Sequence, residues 1–93
     1  MKVTVRFFAH LSDHVEKKDR IELDVETITN ISQLIDLLCD MFNIREILFE
    51  KNNKLREWVT IMKNGREIRY LSGMDTQLDD NDEISIFPPV VGG

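Results

Sequence analysis

The stretch of this chain whose residue types and spacing could do chemistry is its last seven, Phe87-Pro88-Pro89-Val90-Val91-Gly92-Gly93. A backbone α-carboxylate on Gly93 is an acyl group awaiting activation. Glycines have no Cβ, so a Gly-Gly tip can enter a channel too narrow for any side chain. Pro88 and Pro89 lack an N–H, so they end a ladder and hold the chain stiff and extended. Pro88 also biases Phe87 toward extended backbone. From Pro88 onward the tail reaches roughly 20 Å at about 3.3–3.6 Å per residue. The sequence points to Gly93 as the working group, with Pro88, Pro89, Val90, Val91 and Gly92 as the segment that threads a partner's channel.

Other chemistry-bearing residues are weaker. His10 and His14 stand four apart with Asp13 between them. On an α-helix they would share a face for a metal, but without a second ligand cluster they read as solvated loop histidines, and no metal site is expected. Cys39 lies beside an apolar helical stripe and reads as a small buried hydrophobe rather than a reactive thiol. Asp79, Asp80, Asp82 and Glu83 crowd four acids into five residues without the ligand spacing calcium needs, which suits a solvated turn. Lys17 and Lys18 read as surface charges, and Asn64-Gly65 as a structural turn rather than a phosphate loop.

The elements that must carry the tail follow from pattern. Lys2 to Ala9 alternates Val3, Val5 and Phe7 with Thr4, Arg6 and Phe8, the period of a strand. His10 to Asp19 is polar and reads as a loop with room for one helical turn. Arg20 to Glu26 opposes Ile21, Leu23 and Val25 to Glu22, Asp24 and Glu26, a half-buried strand antiparallel to the first. Thr29 or Asn30 can cap a helix running to about Asn43, whose stripe is Ile31, Leu34, Ile35, Leu38, Met41 and Phe42. Ile44 to Glu57 is ambiguous: Ile44, Ile47 and Leu48 can prolong helical structure, and Lys51 to Lys54 reads as a turn. Trp58 to Lys63 reads as a third strand, with Val59 and Ile61 opposed to Thr60 and Met62. Asn64-Gly65 suits a type I′ hairpin, with Arg66 to Leu71 returning. Asp82 to Phe87 is the last strand.

Hairpin, helix, hairpin and final strand make an α+β fold in which one helix covers one face of a mixed sheet. The last strand lies parallel to the first, and both are inner strands. The helix side receives Val3, Val5, Phe7, Ile21, Leu23, Val25, Val59, Ile61, Ile84 and Ile86. The same alternation sends Phe8, Met62 and Phe87 to the other face, where they form a candidate partner patch unless loops cover them.

Length and composition bound what such a fold does. Ninety-three residues make one domain with a modest core and little room for an enclosed active site. The division is 1–87 for the domain and 88–93 for the extended tail. The hydrophobic fraction of 42% and charged fraction of 31% are those of a globular domain. A single cysteine cannot form an internal disulfide, and neither a signal peptide nor a membrane-spanning run is evident, so a cytoplasmic location is expected, with no membrane partner. The net charge of −5 argues against nucleic acid and for partners with basic surfaces.

The layout, with Phe7-Phe8-Ala9 near the start and Asp82 to Gly93 at the end, resembles the MoaD/ThiS sulfur-carrier family, a group with the ubiquitin-like β-grasp fold. It is most similar to the small subunit of molybdopterin synthase and to small archaeal modifier proteins. Asn64-Gly65-Arg66-Glu67-Ile68 followed by Asp75-Thr76-Gln77-Leu78 resembles the longer archaeal branch. The 44–57 segment is long for compact members, thiazole-pathway carriers included. The resemblance implies that the chain is a co-substrate and not an enzyme. A ubiquitin-activating-type, MoeB-like adenylyltransferase would activate Gly93 with ATP and magnesium, which that enzyme holds; this chain binds no cofactor. Sulfur transfer would give a C-terminal thiocarboxylate, used with a MoaE-like large synthase subunit in molybdenum cofactor biosynthesis. The alternative it implies is a modifier joined through Gly93 to lysines of target proteins.

Overall fold

The computed structural model describes residues 1–89. Strand β1 (Lys2–Phe7) pairs antiparallel with β2 (Arg20–Asp24), as their matched alternation requires. Between them the chain makes a 3₁₀ helix at Ala9–His14, longer than the single turn the sequence suggests. It tucks Leu11 under the sheet edge, fully buried, and Val15 beyond it is buried too.

Helix α1 (Ile31–Met41) is capped by Asn30, not Thr29. The Asn30 Oδ1 accepts from the Gln33 amide at 2.9 Å, while the Gln33 side-chain oxygen accepts from the Thr29 amide at 2.7 Å. Two orphan donors are thus satisfied reciprocally. Ile31, Leu34, Ile35 and Leu38 are fully buried against the sheet, each a burial worth about 1.5–3 kcal/mol. The helix stops at Met41, earlier than expected, and Met41 is exposed rather than part of the stripe. Phe42 turns into extended backbone and meets Phe7 edge to face at 6.1 Å.

The ambiguous segment resolves into one short helix, α2 (Arg45–Leu48), then a turn near Lys51 to Asn53 that folds back so that Phe49 bridges Leu55. Ile44 and Leu48 anchor it in the core. Strand β3 (Thr60–Lys63) starts two residues later than its alternation suggests, leaving Trp58 in a turn. The hairpin to β4 (Arg66–Glu67) uses Asn64 and Gly65 at φ +49° and +83°, the two positive values of a type I′ turn. The return strand expected over Arg66 to Leu71 is only two residues long; Ile68–Tyr70 coils into a 3₁₀ turn. The Arg69 guanidinium donates to the carbonyls of Glu57 and Val59 and so braces that turn from the side.

Strand β5 (Asp82–Phe87) runs parallel to β1 and antiparallel to β3, giving the order β2-β1-β5-β3-β4 with β5 at the centre. The α+β β-grasp expectation of a mixed sheet under one main helix is met. The helix-side set is also met, although Ile21 and Leu23 on the edge strand are only half-buried. Central β5 therefore delivers the chain to Pro88 from the middle of the sheet, hydrogen-bonded on both sides.

Candidate functional site

The root of the tail is built from the ends of three strands. Thr60 on β3 lies opposite Phe87 on β5, and the Phe8 amide, one residue past β1, donates to the Ile86 carbonyl at 3.1 Å. This register sets Phe8 and Phe87 side by side on the face away from α1. Their rings stack with centroids 4.2 Å apart and planes 16° apart. The Arg6 guanidinium, two residues earlier on the same face, sits 4.9 Å from the Phe8 ring centre and 3.8 Å from the Glu83 carboxylate. Met62 lies half-buried on the same face. The sequence alternation thus holds for all three patch residues, and no loop closes over them completely: an open cleft of about 390 Å³ is lined by Trp58, Thr60, Met62, Phe87 and Pro88.

Pro88 is buried and Pro89 half-buried, so the start of the expected tail belongs to the body of the domain. Val90, Val91, Gly92 and the Gly93 carboxylate lie outside the described residues.

Trp58 is the residue sequence reasoning passed over. Placed in a strand, it looked like part of a ladder; in the turn before β3 its side chain stands 76% exposed. Its parity with Thr60 and Met62, an even-numbered set on the open face, was the available signal. It separates the cleft above from a second groove of about 480 Å³, lined by residues of the 44–57 segment together with His10, Trp58 and Pro89.

The remaining candidates are not drawn into this site as chemistry. His10 and His14 sit on a 3₁₀ helix, where three residues per turn turn positions four apart away from one another. Both are exposed, and among the described residues no group of three metal-ligating side chains occurs. Cys39 is half-buried, and burial, aided by Asp36 and Asp40 and opposed by Arg45, pushes its thiol above the ordinary value, away from a reactive thiolate. The acidic turn is structural. Asp82 is buried, accepting from the Asn64 side-chain amide at 2.8 Å and the Asp79 amide at 2.7 Å, with the Lys63 ammonium 3.3 Å away. Among the described residues no helix is long and apolar enough to cross a membrane.

What this arrangement offers is an apolar surface beside the point where the chain leaves the sheet. The model of the ThiS family matches residues 5–93. The small archaeal modifier protein 3 of Haloferax volcanii is 35% identical over 96 residues, covering all of both chains. A putative sulfur carrier protein of Archaeoglobus fulgidus is 37% identical over 75 residues, 78% of this chain and 83% of its own. The solution structure of the small archaeal modifier protein 1 from Methanosarcina acetivorans superposes with a TM-score of 0.84 at 32% identity, covering 99% of this chain and 96% of that one.

Proposed function

We propose a function from one premise: this chain belongs to the ThiS family, small sulfur-carrier and ubiquitin-like modifier proteins that are acted upon rather than catalytic. The proposed working group is the α-carboxylate of Gly93. A carboxylate at neutral pH is a poor electrophile. A MoeB-like adenylyltransferase, holding ATP and magnesium, makes it a good one: a carboxylate oxygen attacks the α-phosphorus, pyrophosphate leaves, and an acyl-adenylate forms. A sulfur nucleophile then displaces AMP, leaving a thiocarboxylate whose soft sulfur attacks a pterin precursor held by a MoaE-like large subunit, for molybdenum cofactor biosynthesis. Partners supply orientation and charge stabilisation; this chain supplies a rigid handle.

One observation supports this reading most: the central strand runs into a buried Pro88 beside the open Phe8–Phe87 stack, so the exit of the tail is rigidly placed next to an apolar surface that a partner can grip. The test is intact mass after incubation with ATP, magnesium, a sulfide source and the cell's adenylyltransferase. The expected gain is one oxygen replaced by sulfur, mapped to Gly93. One residue added beyond Gly93, or Gly92→Val, abolishes adenylation while leaving the melting curve unchanged; a normal adenylation rate in either variant refutes the tail chemistry.

A second reading, conjugation of Gly93 to target lysines, is favoured by the full-length relative named as a modifier protein. It uses the same adenylate. Lysine-linked conjugates that vanish when Gly92 and Gly93 are deleted would establish it.

A further inference from the structure

The second groove beside the tail root differs in lining from the open sheet face. Its apolar lining is Ile47, the exposed Trp58 and Pro89. Its rim carries the carboxylates of Glu46, Glu50 and Glu57, all exposed. None of the three takes part in an ion pair among the described residues, whereas other acids of the molecule, Asp36, Asp40, Asp79 and Asp82 among them, do. The cation within the groove is Arg56, whose Nε donates to the Glu46 carbonyl at 3.1 Å, which tethers the guanidinium to the backbone without removing its charge. His10 is the other titratable lining group. Three carboxylates against one guanidinium leave the groove negative. Two aromatic rings elsewhere already carry a guanidinium, Arg6 over Phe8 and Arg45 over Phe49; no described cation lies over Trp58.

The geometry points to this groove as the seat of an arginine side chain presented by the partner that receives the tail, its guanidinium stacked on Trp58 and bonded to the rim carboxylates. A planar guanidinium is the cation that matches both an indole face and a pair of carboxylates. Pro89 lines the groove, so a partner that contacts the root of the tail at Pro89 contacts the groove as well. The 44–57 segment, which also gives Ile44 and Leu48 to the core, supplies most of the groove's lining and makes the groove a determinant of which partner can use this tail. The inference rests on the proposed function for the identity of the partner, but not for the existence of the site.

Two measurements keep these apart. Trp58 is the single tryptophan, so its fluorescence reports the groove directly. Titration of the full chain with a capped Gly-Arg-Gly-Arg-Gly peptide is expected to change that emission saturably, with a dissociation constant on the order of millimolar. The effect weakens with added salt, is absent for the citrulline counterpart, and is lost in a Glu46→Gln/Glu50→Gln/Glu57→Gln variant. An equal response to the citrulline peptide, or no saturable response, overturns the site. In the adenylyltransferase assay the same variant is expected to raise KM for the carrier about tenfold with kcat changed less than about twofold. A charge-matched Glu16→Gln/Glu22→Gln/Glu26→Gln control is expected to leave KM unchanged. Equal KM for both variants overturns the assignment of the arginine to that partner. If the unmodified chain is not adenylated at all, the proposed function fails while the peptide titration still decides the groove.

Discussion

At the scale of single residues, the informative side chains are those on the face that α1 does not cover. A stacked Phe8–Phe87 pair half-exposed beside an exit to Pro88 is expensive to leave without a purpose, since apolar area facing water is not stabilising. Part of its role is structural. Phe8→Ala removes both apolar area and the stack and is expected to lower stability by about 1–3 kcal/mol; Phe8→Leu keeps most of the area and should lose only about 0.5–1.5 kcal/mol. Urea denaturation of the two variants checks this, and a Phe8→Leu variant as stable as the parent would deny the stack any role of its own. Cys39 and the two histidines contribute no comparable chemistry: the first is shielded by burial, and the second pair diverges on its 3₁₀ turns.

At the scale of elements, α1 determines where the sheet can be closed, and its start is set by a specific cap. Asn30 ties the helix to the Gln33 amide and forms an isolated bridge to Gln77, so the same residue fixes the helix and the loop that leads to β5. Asn30→Ala is expected to cost about 1 kcal/mol, seen as a fall of about 4–8 °C in Tm. Thr29→Ala, whose hydroxyl only supplements its backbone bond to Gln33, should cost less. Reversal of that order would assign the cap to Thr29, as the sequence alone equally allows. The short edge β4 and the charged exposed positions of the other edge, Arg20, Glu22 and Asp24, discourage edge-to-edge pairing.

At the scale of the whole molecule, the acidic 77–82 stretch closes the sheet through Lys63. The Lys63 ammonium, only 16% exposed, donates to the Gln77 carbonyl at 2.7 Å and to the Asp79 carboxylate at 2.8 Å, and faces buried Asp82. The hydrogen bond to Asp79 chiefly, with further help from Asp82 and against some desolvation, holds its pKa above the ordinary 10.5. A base whose folded pKa is raised stabilises fully below its unfolded pKa and loses that contribution as pH rises through the folded value. Lys63→Met should therefore be less stable than the parent at neutral pH, and the gap should narrow above about pH 10.5. Urea midpoints taken across that range test the sign; a gap that widens with pH would reverse it.

What this sequence determined by itself was whatever is written in local period and backbone chemistry. Alternation at Lys2 to Phe7, Arg20 to Asp24 and Asp82 to Phe87, the 3.6-residue stripe from Ile31 to Leu38, and the positive-φ pair Asn64-Gly65 each bias one local conformation. Together they allow few topologies, so the sheet, its parallel centre and the sidedness of Phe8, Met62 and Phe87 were legible before any coordinates. Tertiary structure decided the rest. Only packing could end α1 at Met41 by turning Phe42 onto Phe7, because the stripe itself continues. Only the bracing of the Ile68–Tyr70 turn by Arg69 could halt β4 after two residues. And only folding the 44–57 segment back could set Glu46, Glu50, Glu57, Trp58 and Pro89 along one groove: residues 12 apart in sequence share it when the chain between them reverses, and no local period encodes that reversal.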